Sequence, residues 1–560
     1  MIQEDPKIGK HVLDLLTTGM YKEPCLIYRE YIQNSADQID LLSPDEKNDL
    51  NRCRIVIDID RQNARVKVKD FATGVPKKDF KARLLNIADS WKDPAKDKGF
   101  RGIGRLAGLA YCHKLIFETS AKGERVVSRM EMDGDEMRSI LGNRKDRCSA
   151  SALIKRISTI SQEETDIPEY ECYFTVTLEG IIEAVGGGLL EVDAVRSLIE
   201  QIAPLPFSET RFKKWKTKID AFAAEMGHPL QTYSISINGN TIVKPYKNII
   251  IGRNREEVGK INDVVFRKIK DQRGKVLAWA WAAVPDQGKQ ITESTNPERM
   301  MRLRKDNIQI GMEDFFNGRA PDGGGFFSQA RANGYMLGEV HIIEPSIRPN
   351  ADRNNLEVSE IASKFLTILK ESLFTDLWNA AEEGNRLSKA RENIENYAEA
   401  LRQKREKIEN PSLPYGSRET LSDELEAAFK KAADGLALLK RTKGKLSKTV
   451  DDGSAMDLLR HSKTADIDQL ETLVVAPPKP SLPPLPEPDT PSNVPPHRPK
   501  SGPKEGKAPS PGKPPRPVEP PPKVPSLGDK VIKILCDSGL DIEKAIDVWT
   551  KIEEVLPRQS

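Results

Sequence analysis

Glu30, Asn34 and Asp37 recur at i, i+4 and i+7 within Tyr28-Arg29-Glu30-Tyr31-Ile32-Gln33-Asn34-Ser35-Ala36-Asp37. In a helix that spacing gathers them on one side, leaving Leu26, Ile27, Tyr31 and Ile32 for the apolar remainder. Such a face serves either as the solvated side of an amphipathic helix or as a site. In a site, the carboxylate would orient a water and the amide oxygen would ligate Mg²⁺. Asp70 ends the segment Arg65-Val66-Lys67-Val68-Lys69-Asp70, just before Phe71-Ala72-Thr73-Gly74. A carboxylate there either caps the loop or faces a pocket. Gly99-Phe100-Arg101-Gly102-Ile103-Gly104 then opens an apolar stretch running to Tyr111. Closely spaced glycines before a helix let backbone N–H groups approach phosphate oxygens, and the helix dipole favours that charge. The chain has neither a GxxxxGK[ST] loop nor a Rossmann fingerprint around these glycines.

The elements that must carry these groups follow from periodicity. Residues 7–19 suit a short helix, with Ile8, Val12, Leu15 and Leu16 on one side. Residues 54–60 and 65–70 alternate apolar and polar side chains and read as two strands joined by a turn around Gln62-Asn63. Further strand-like segments occupy 114–119, 124–131 and 172–178. The stretches 189–203 and 209–226 look helical. Strands return at Thr232–Ile237, before the turn Asn238-Gly239-Asn240, and at Val276–Val284.

The order Glu30-x-x-x-Asn34-x-x-Asp37, Asp70-x-x-x-Gly74, Gly99-x-x-Gly102-x-Gly104 resembles the GHKL ATPase superfamily: DNA gyrase B subunit, heat-shock-ninety chaperones, histidine kinases and MutL. The likeness covers roughly residues 8–180. The wording around Glu30 and at Ile87-Ala88-Asp89-Ser90 is similar to the heat-shock-ninety and MORC-like branches. The resemblance implies a Bergerat α/β sandwich and ATP with Mg²⁺ as cofactors. It implies Glu30 as the general base acting on the attacking water, Asn34 as the Mg²⁺ ligand and Asp37 as part of the same nucleotide site. Asp70 would accept from the adenine amino group, and Gly74 would let its loop pass close to the base. Gly99, Arg101, Gly102, Ile103 and Gly104 would wrap the phosphates, with 75–98 as a lid, and Thr175 would stand near the adenine. One position departs from the pattern. Ala72 stands where the family usually has glycine, and a positive φ there would cost alanine about 1 kcal/mol or more.

Farther on, Arg302-Leu303-Arg304-Lys305-Asp306-Asn307, Gly338–Ile343 and Arg348-Pro349-Asn350-Ala351-Asp352-Arg353 are similar in order to the transducer-type second domain of heat-shock-ninety-like ATPases. There a cation reaches the γ-phosphate; Lys305 is the first candidate and Arg304 the second, with a surface basic cluster as the other reading.

Composition bounds the rest. Lys+Arg is 87 against Asp+Glu 84 in 560 residues, a near-balance that argues against a surface built wholly for DNA. The basic run Arg211–Lys218, with Phe212 and Trp215, is a solvated helix or a nucleic-acid contact. Six cysteines without CxxC pairing fit reduced thiols. Neither an apolar run of membrane-spanning length nor a leader-like start is present, so the expected location is cytoplasmic, with no membrane partner.

The expected fold is α+β: an ATP-binding domain at 1–180, a transducer-type α/β domain at 181–355, and a helical hairpin region at 356–465. A proline-rich linker follows at 476–526 and a helical docking module at 527–560. The expected function is ATP hydrolysis driving a dimeric clamp on a protein or nucleic-acid client, by analogy of architecture in stress response or anti-phage defence. The alternative is a nucleotide-gated scaffold that recruits an effector through the C-terminal helix. The expected partners are a second copy, a protein for 527–560, and DNA as an open case.

Overall fold

The computed structural model describes residues 8–19, 23–87, 98, 102, 104–312, 314–447, 455–459 and 466–482. The expected docking module at 527–560 and most of the proline-rich stretch lie outside them.

Alternation of apolar and polar residues builds the first sheet. Strands β1 (Arg54–Asp60), β2 (Arg65–Asp70), β3 (Cys112–Ser120), β4 (Val126–Asp133), β5 (Ser158–Glu164), β6 (Tyr173–Ile181), β7 (Ser234–Ile237) and β8 (Asn240–Ile242) order as β5-β4-β3-β6-β2-β1-β7-β8. Period-two alternation sends Ile55, Ile57, Ile59, Val66, Val68, Phe117, Met130, Met132, Val176 and Leu178 to one face, where they pack beneath the Ile27–Asp40 helix. Burying each such side chain contributes roughly 1.5–3 kcal/mol. Charged residues such as Lys67, Lys69, Glu118 and Arg129 take the other face.

The sheet extends past residue 180, the expected end of the first domain. β7 pairs in parallel with β1 (Arg54 opposite Ser234), because Ile235 and Ile237 complete the same apolar face. Asn238 and Gly239, both at positive φ, make the tight turn into β8.

β9 (Ile249–Ile251) and β10 (Glu257–Lys260) form a small ladder. The second large sheet runs β11 (Val265–Lys270), β12 (Val276–Ala283), β15 (Leu337–Ile342), β13 (Met300–Lys305), β14 (Ile308–Ile310) in spatial order. β12 is apolar along its length because both its faces are covered. Ala278, Ala280 and Ala282 join the core beneath the Glu360–Leu369 helix and its continuation. Trp279, Trp281 and Ala283 join the core formed with the Lys213–Glu225 helix. Phe212 and Trp215, the aromatics of the basic run, are buried there, and Lys216 and Lys218 pair with Asp220 and Asp263. A structural helix therefore accounts for the run.

The Thr375–Glu409 and Tyr415–Leu446 helices form an antiparallel hairpin, with Ala390 against Gly435 and Lys404 paired with Glu424. The first residues of the proline-rich stretch lie along it. Ser422 donates to Pro478 O at 3.1 Å, and Arg418 to Ser481 Oγ at 3.2 Å.

Between the two sheets lies a fully buried charge network. Glu339 of β15 accepts from Lys244 Nζ at 2.9 and 2.7 Å, pairs with Arg304 Nε at 2.5 Å, and lies 3.1 Å from His341 Nε2. Burial pushes Lys244 down to about 7 and His341 down to about 4, while Arg304 and Lys244 hold the Glu339 carboxyl well below its usual range despite burial. Glu339→Ala would strand two buried cations. The expected loss is about 3–5 kcal/mol of unfolding free energy in urea titration; a change below about 1 kcal/mol would show that the network carries no such strain.

Candidate active site

The Ile27–Asp40 helix is fastened to the glycine segment by Tyr31, whose hydroxyl accepts the Gly108 N–H at 2.9 Å. Gly104–Ala110 is a 3-10 turn where a regular helix was expected. Its small residues bring backbone close to the helix: a β-carbon on Gly108 would lie 2.4 Å from Tyr31 Oη, and one on Gly104 would lie 2.4 Å from Glu30 Oε2. Gly104 therefore leaves the space that the Glu30 carboxylate occupies.

Glu30 is 12 % exposed, and its Oε1 lies 3.6 Å from Arg29 Nε. That oxygen has no hydrogen-bond partner among the described residues. Asn34, one turn on, is half-buried. Asp37 is employed differently: it is buried, and its Oδ1 accepts the backbone N–H of Lys98 at 2.9 Å. Of the phosphate-loop residues, Gly102 (φ +68°) and Gly104 are described; Gly99, Arg101 and Ile103 lie outside the described residues.

On the base side, Asp70 ends β2 only 1 % exposed. Burial pushes its carboxyl up to about 7, against the lowering effect of the Ala72 N–H and the Ser35 side chain. The Ala72 N–H lies 3.2 Å from Asp70 Oδ1. Ala72 is absent from the left-handed region, so the missing glycine costs nothing there. The glycine that the loop requires is Gly74, at φ +64°, where a β-carbon would fall 2.0 Å from Ser120 O. Thr119, which sequence reasoning missed, holds this turn: its hydroxyl accepts from Val75 N–H at 2.9 Å and donates to Tyr173 O at 2.6 Å.

Thr175 does not join this group. β6 pairs Phe174 with Asp70 but Thr175 with Lys69, and β3 pairs Thr175 with Glu118. Alternation therefore puts Thr175 on the sheet face opposite Asp70, a one-residue difference that the run Phe174-Thr175-Val176-Thr177 could not resolve.

The two cations expected at the γ-phosphate, Arg304 and Lys305, also separate. Arg304 is fully buried, paired with Glu339 and donating to Asn307 O at 2.9 Å and Gln201 O at 2.5 Å. Lys305 donates to Glu344 O at 2.7 Å, and burial lowers its pKa. The side chain that enters the Glu30 neighbourhood is Arg353, 4 % exposed. Its Nη2 donates to Lys98 O at 2.7 Å, while Nη1 is buried without a partner among the described residues. Burial first, then the nearby Arg29, pushes Arg353 down to about 10; Glu30, Asp306 and Asp37 act in the opposite direction. Its backbone is left-handed, φ +53°, held by Gly311 N–H donating to Arg353 O at 2.8 Å. Strained non-glycine residues of this kind cluster at functional sites. Arg29 completes the junction by donating to Asp352 O at 2.6 Å. The polar turn Arg348–Asp352 that precedes Arg353 in sequence was the available signal.

Glu30 Oε1 and Arg353 Nη1, neither with a hydrogen-bond partner among the described residues, the buried Asp70 and the space kept by Gly104 fit a nucleoside triphosphate with its metal ion. Asn34 and the phosphates would hold Mg²⁺, which supplies charge neutralisation when bound. Residues 29–147 match the family model described as histidine kinase-, DNA gyrase B-, and HSP90-like ATPase. The match supports the GHKL superfamily for this domain, and with it ATP binding. No curated protein matches the chain. Among the described residues, no helix is long and apolar enough to cross a membrane.

Asp70 gives a pH-dependent expectation. A carboxyl whose folded pKa is raised from about 3.9 to about 7 favours the neutral form, so its stabilising contribution is lost as pH rises through 7. Asp70→Asn removes that loss. The stability difference between the ligand-free variant and wild type is expected to grow between pH 5 and pH 8 by on the order of 1–3 kcal/mol, while the thermal shift given by ATP disappears. A difference that stays flat with pH would contradict the burial of an ionising Asp70.

Proposed function

We propose that the chain is a Mg²⁺-dependent ATP hydrolase in which Glu30 is the general base and the second domain closes the site. The observation that carries this reading is the Glu30 carboxylate, held against Gly104 with one buried oxygen that, beside the Arg29 ion pair, has no hydrogen-bond partner among the described residues. A buried acceptor left unmade costs about 1–3 kcal/mol; a water poised for attack on the γ-phosphate satisfies it. Glu30 then takes the proton from that water as its oxygen bonds the γ-phosphorus and the bond from that phosphorus to the β,γ-bridging oxygen breaks, releasing ADP and phosphate. Asn34 holds the metal on the same helix face. Asp70 accepts from the adenine amino group through a carboxyl oxygen, which is an acceptor whether or not the group is protonated. Gly102 and Gly104 line the phosphate path.

Arg353 is the first choice for the cation that meets the γ-phosphate, and Lys305, on the neighbouring strand end, is the second. Arg304 is given to the interior network. Since Arg353 belongs to the second domain, loss of the γ-phosphate changes what that domain is bonded to. This is the physical basis for a cycle in which two subunits close on a protein or nucleic-acid client with ATP and open after hydrolysis.

Glu30→Ala in the full chain is expected to bind ATP within about threefold of wild type and to lower kcat by at least about 100-fold. Equal turnover by the two proteins would remove Glu30 from the base role.

A further inference from the structure

Lys98 is bound at every polar group it has. Its N–H donates to Asp37 Oδ1 at 2.9 Å, and its ammonium forms an ion pair with Asp40. Its carbonyl accepts from Gln33 Nε2 and, at 2.7 Å, from Arg353 Nη2. Asp40 is steadied in turn by the Tyr233 hydroxyl at 2.7 Å, and the Lys98 ammonium stands 5.4 Å from the Tyr233 ring centroid. Gln33, Asp37 and Asp40 all belong to the Ile27–Asp40 helix that carries Glu30 and Asn34. Lys98 is only 3 % exposed, so these bonds operate away from bulk water, where each is stronger and more directional.

We infer that Lys98 is a positioning residue for hydrolysis: its backbone carbonyl, fixed by three side chains of the catalytic helix, sets where the Arg353 guanidinium of the second domain lies relative to Glu30. The inference rests on the ATPase reading above. Lys98 touches no reacting atom. It acts because an arginine anchored through Nη2 has its remaining nitrogen, Nη1, aimed by the plane of the guanidinium. An error of about 1 Å in such a donor lowers the rate by up to about 100-fold while leaving ground-state binding nearly intact. Arg29, donating to Asp352 O, holds the backbone of the same turn, but it fixes the loop without aiming the side chain.

The test uses the full chain and Mg·ATP. Lys98→Met removes the ion pair that holds the residue against the helix. It is expected to lower kcat at least about tenfold with the ATP dissociation constant within about threefold of wild type. Asp40→Asn, which breaks the same pair from the other side, gives the same split, and Lys98→Arg restores most of the rate. Lys98→Met adds little to Arg353→Ala, since both act through one guanidinium. Wild-type kcat in both Lys98→Met and Asp40→Asn would overturn the inference, as would full additivity with Arg353→Ala. A wild-type chain that binds ATP without turnover would instead sink the hydrolase reading; wild-type turnover retained by Lys98→Met sinks only the role of Lys98.

Discussion

The site depends on two groups of opposite charge, Glu30 and Arg353, each set in place by other parts of the chain. Glu30 is held by the helix, by Gly104 and by its proximity to Arg29; Arg353 is held by the Lys98 carbonyl and by its own left-handed backbone. Each keeps one buried polar atom without a hydrogen-bond partner among the described residues. On the proposed reading, the Glu30 carboxylate and the Arg353 guanidinium would act on the γ-phosphate of a bound triphosphate, one as base and the other as neutralising cation.

Glu30 and Arg353 come from segments packed on different sheets, so the relation of the two sheets must be fixed. Three features do this. The first sheet recruits β7 and β8 from beyond residue 180. The segment leaving β8 carries Lys244 directly onto Glu339 of the second sheet. Arg304 ties β13 to the end of the Val192–Ile202 helix through Gln201 O. Sheet, ion network and helix end thus set the frame within which the Arg348–Arg353 turn meets the Ile27–Asp40 helix. The cost of desolvating these charges is high, and their value is in specifying one arrangement of the domains.

Much of this was legible in the sequence, for identifiable reasons. Helical spacing gathered Glu30 and Asn34, and alternation gave β1 and β2 their bounds, because local periodicity and burial agree there. Asp70 stood out as a carboxylate at a strand end before a glycine turn, and the resemblance, not the spacing, pointed it to a nucleotide site. What was not legible has physical causes too. A run such as Phe174-Thr175-Val176-Thr177 fits either register, so the sequence does not tell that Thr175 lies on the face opposite Asp70. Arg304 and Lys305 stand out as a basic cluster on a strand, whereas the burial of Arg353 by distant packing does not show in sequence. Lys98 and Thr119 act through backbone and long-range bonds, for which no local motif exists. Ala72 raised a concern that geometry removed: the strained position is Gly74.

The central claim is that a second-domain arginine completes a nucleotide site built on the first. Single-turnover ATP hydrolysis by full-length Arg353→Ala, with bound nucleotide quantified in the same samples, tests it most directly. The expected result is near-normal ATP binding with the chemical step slowed by about 100-fold or more. A single-turnover rate equal to wild type would contradict it.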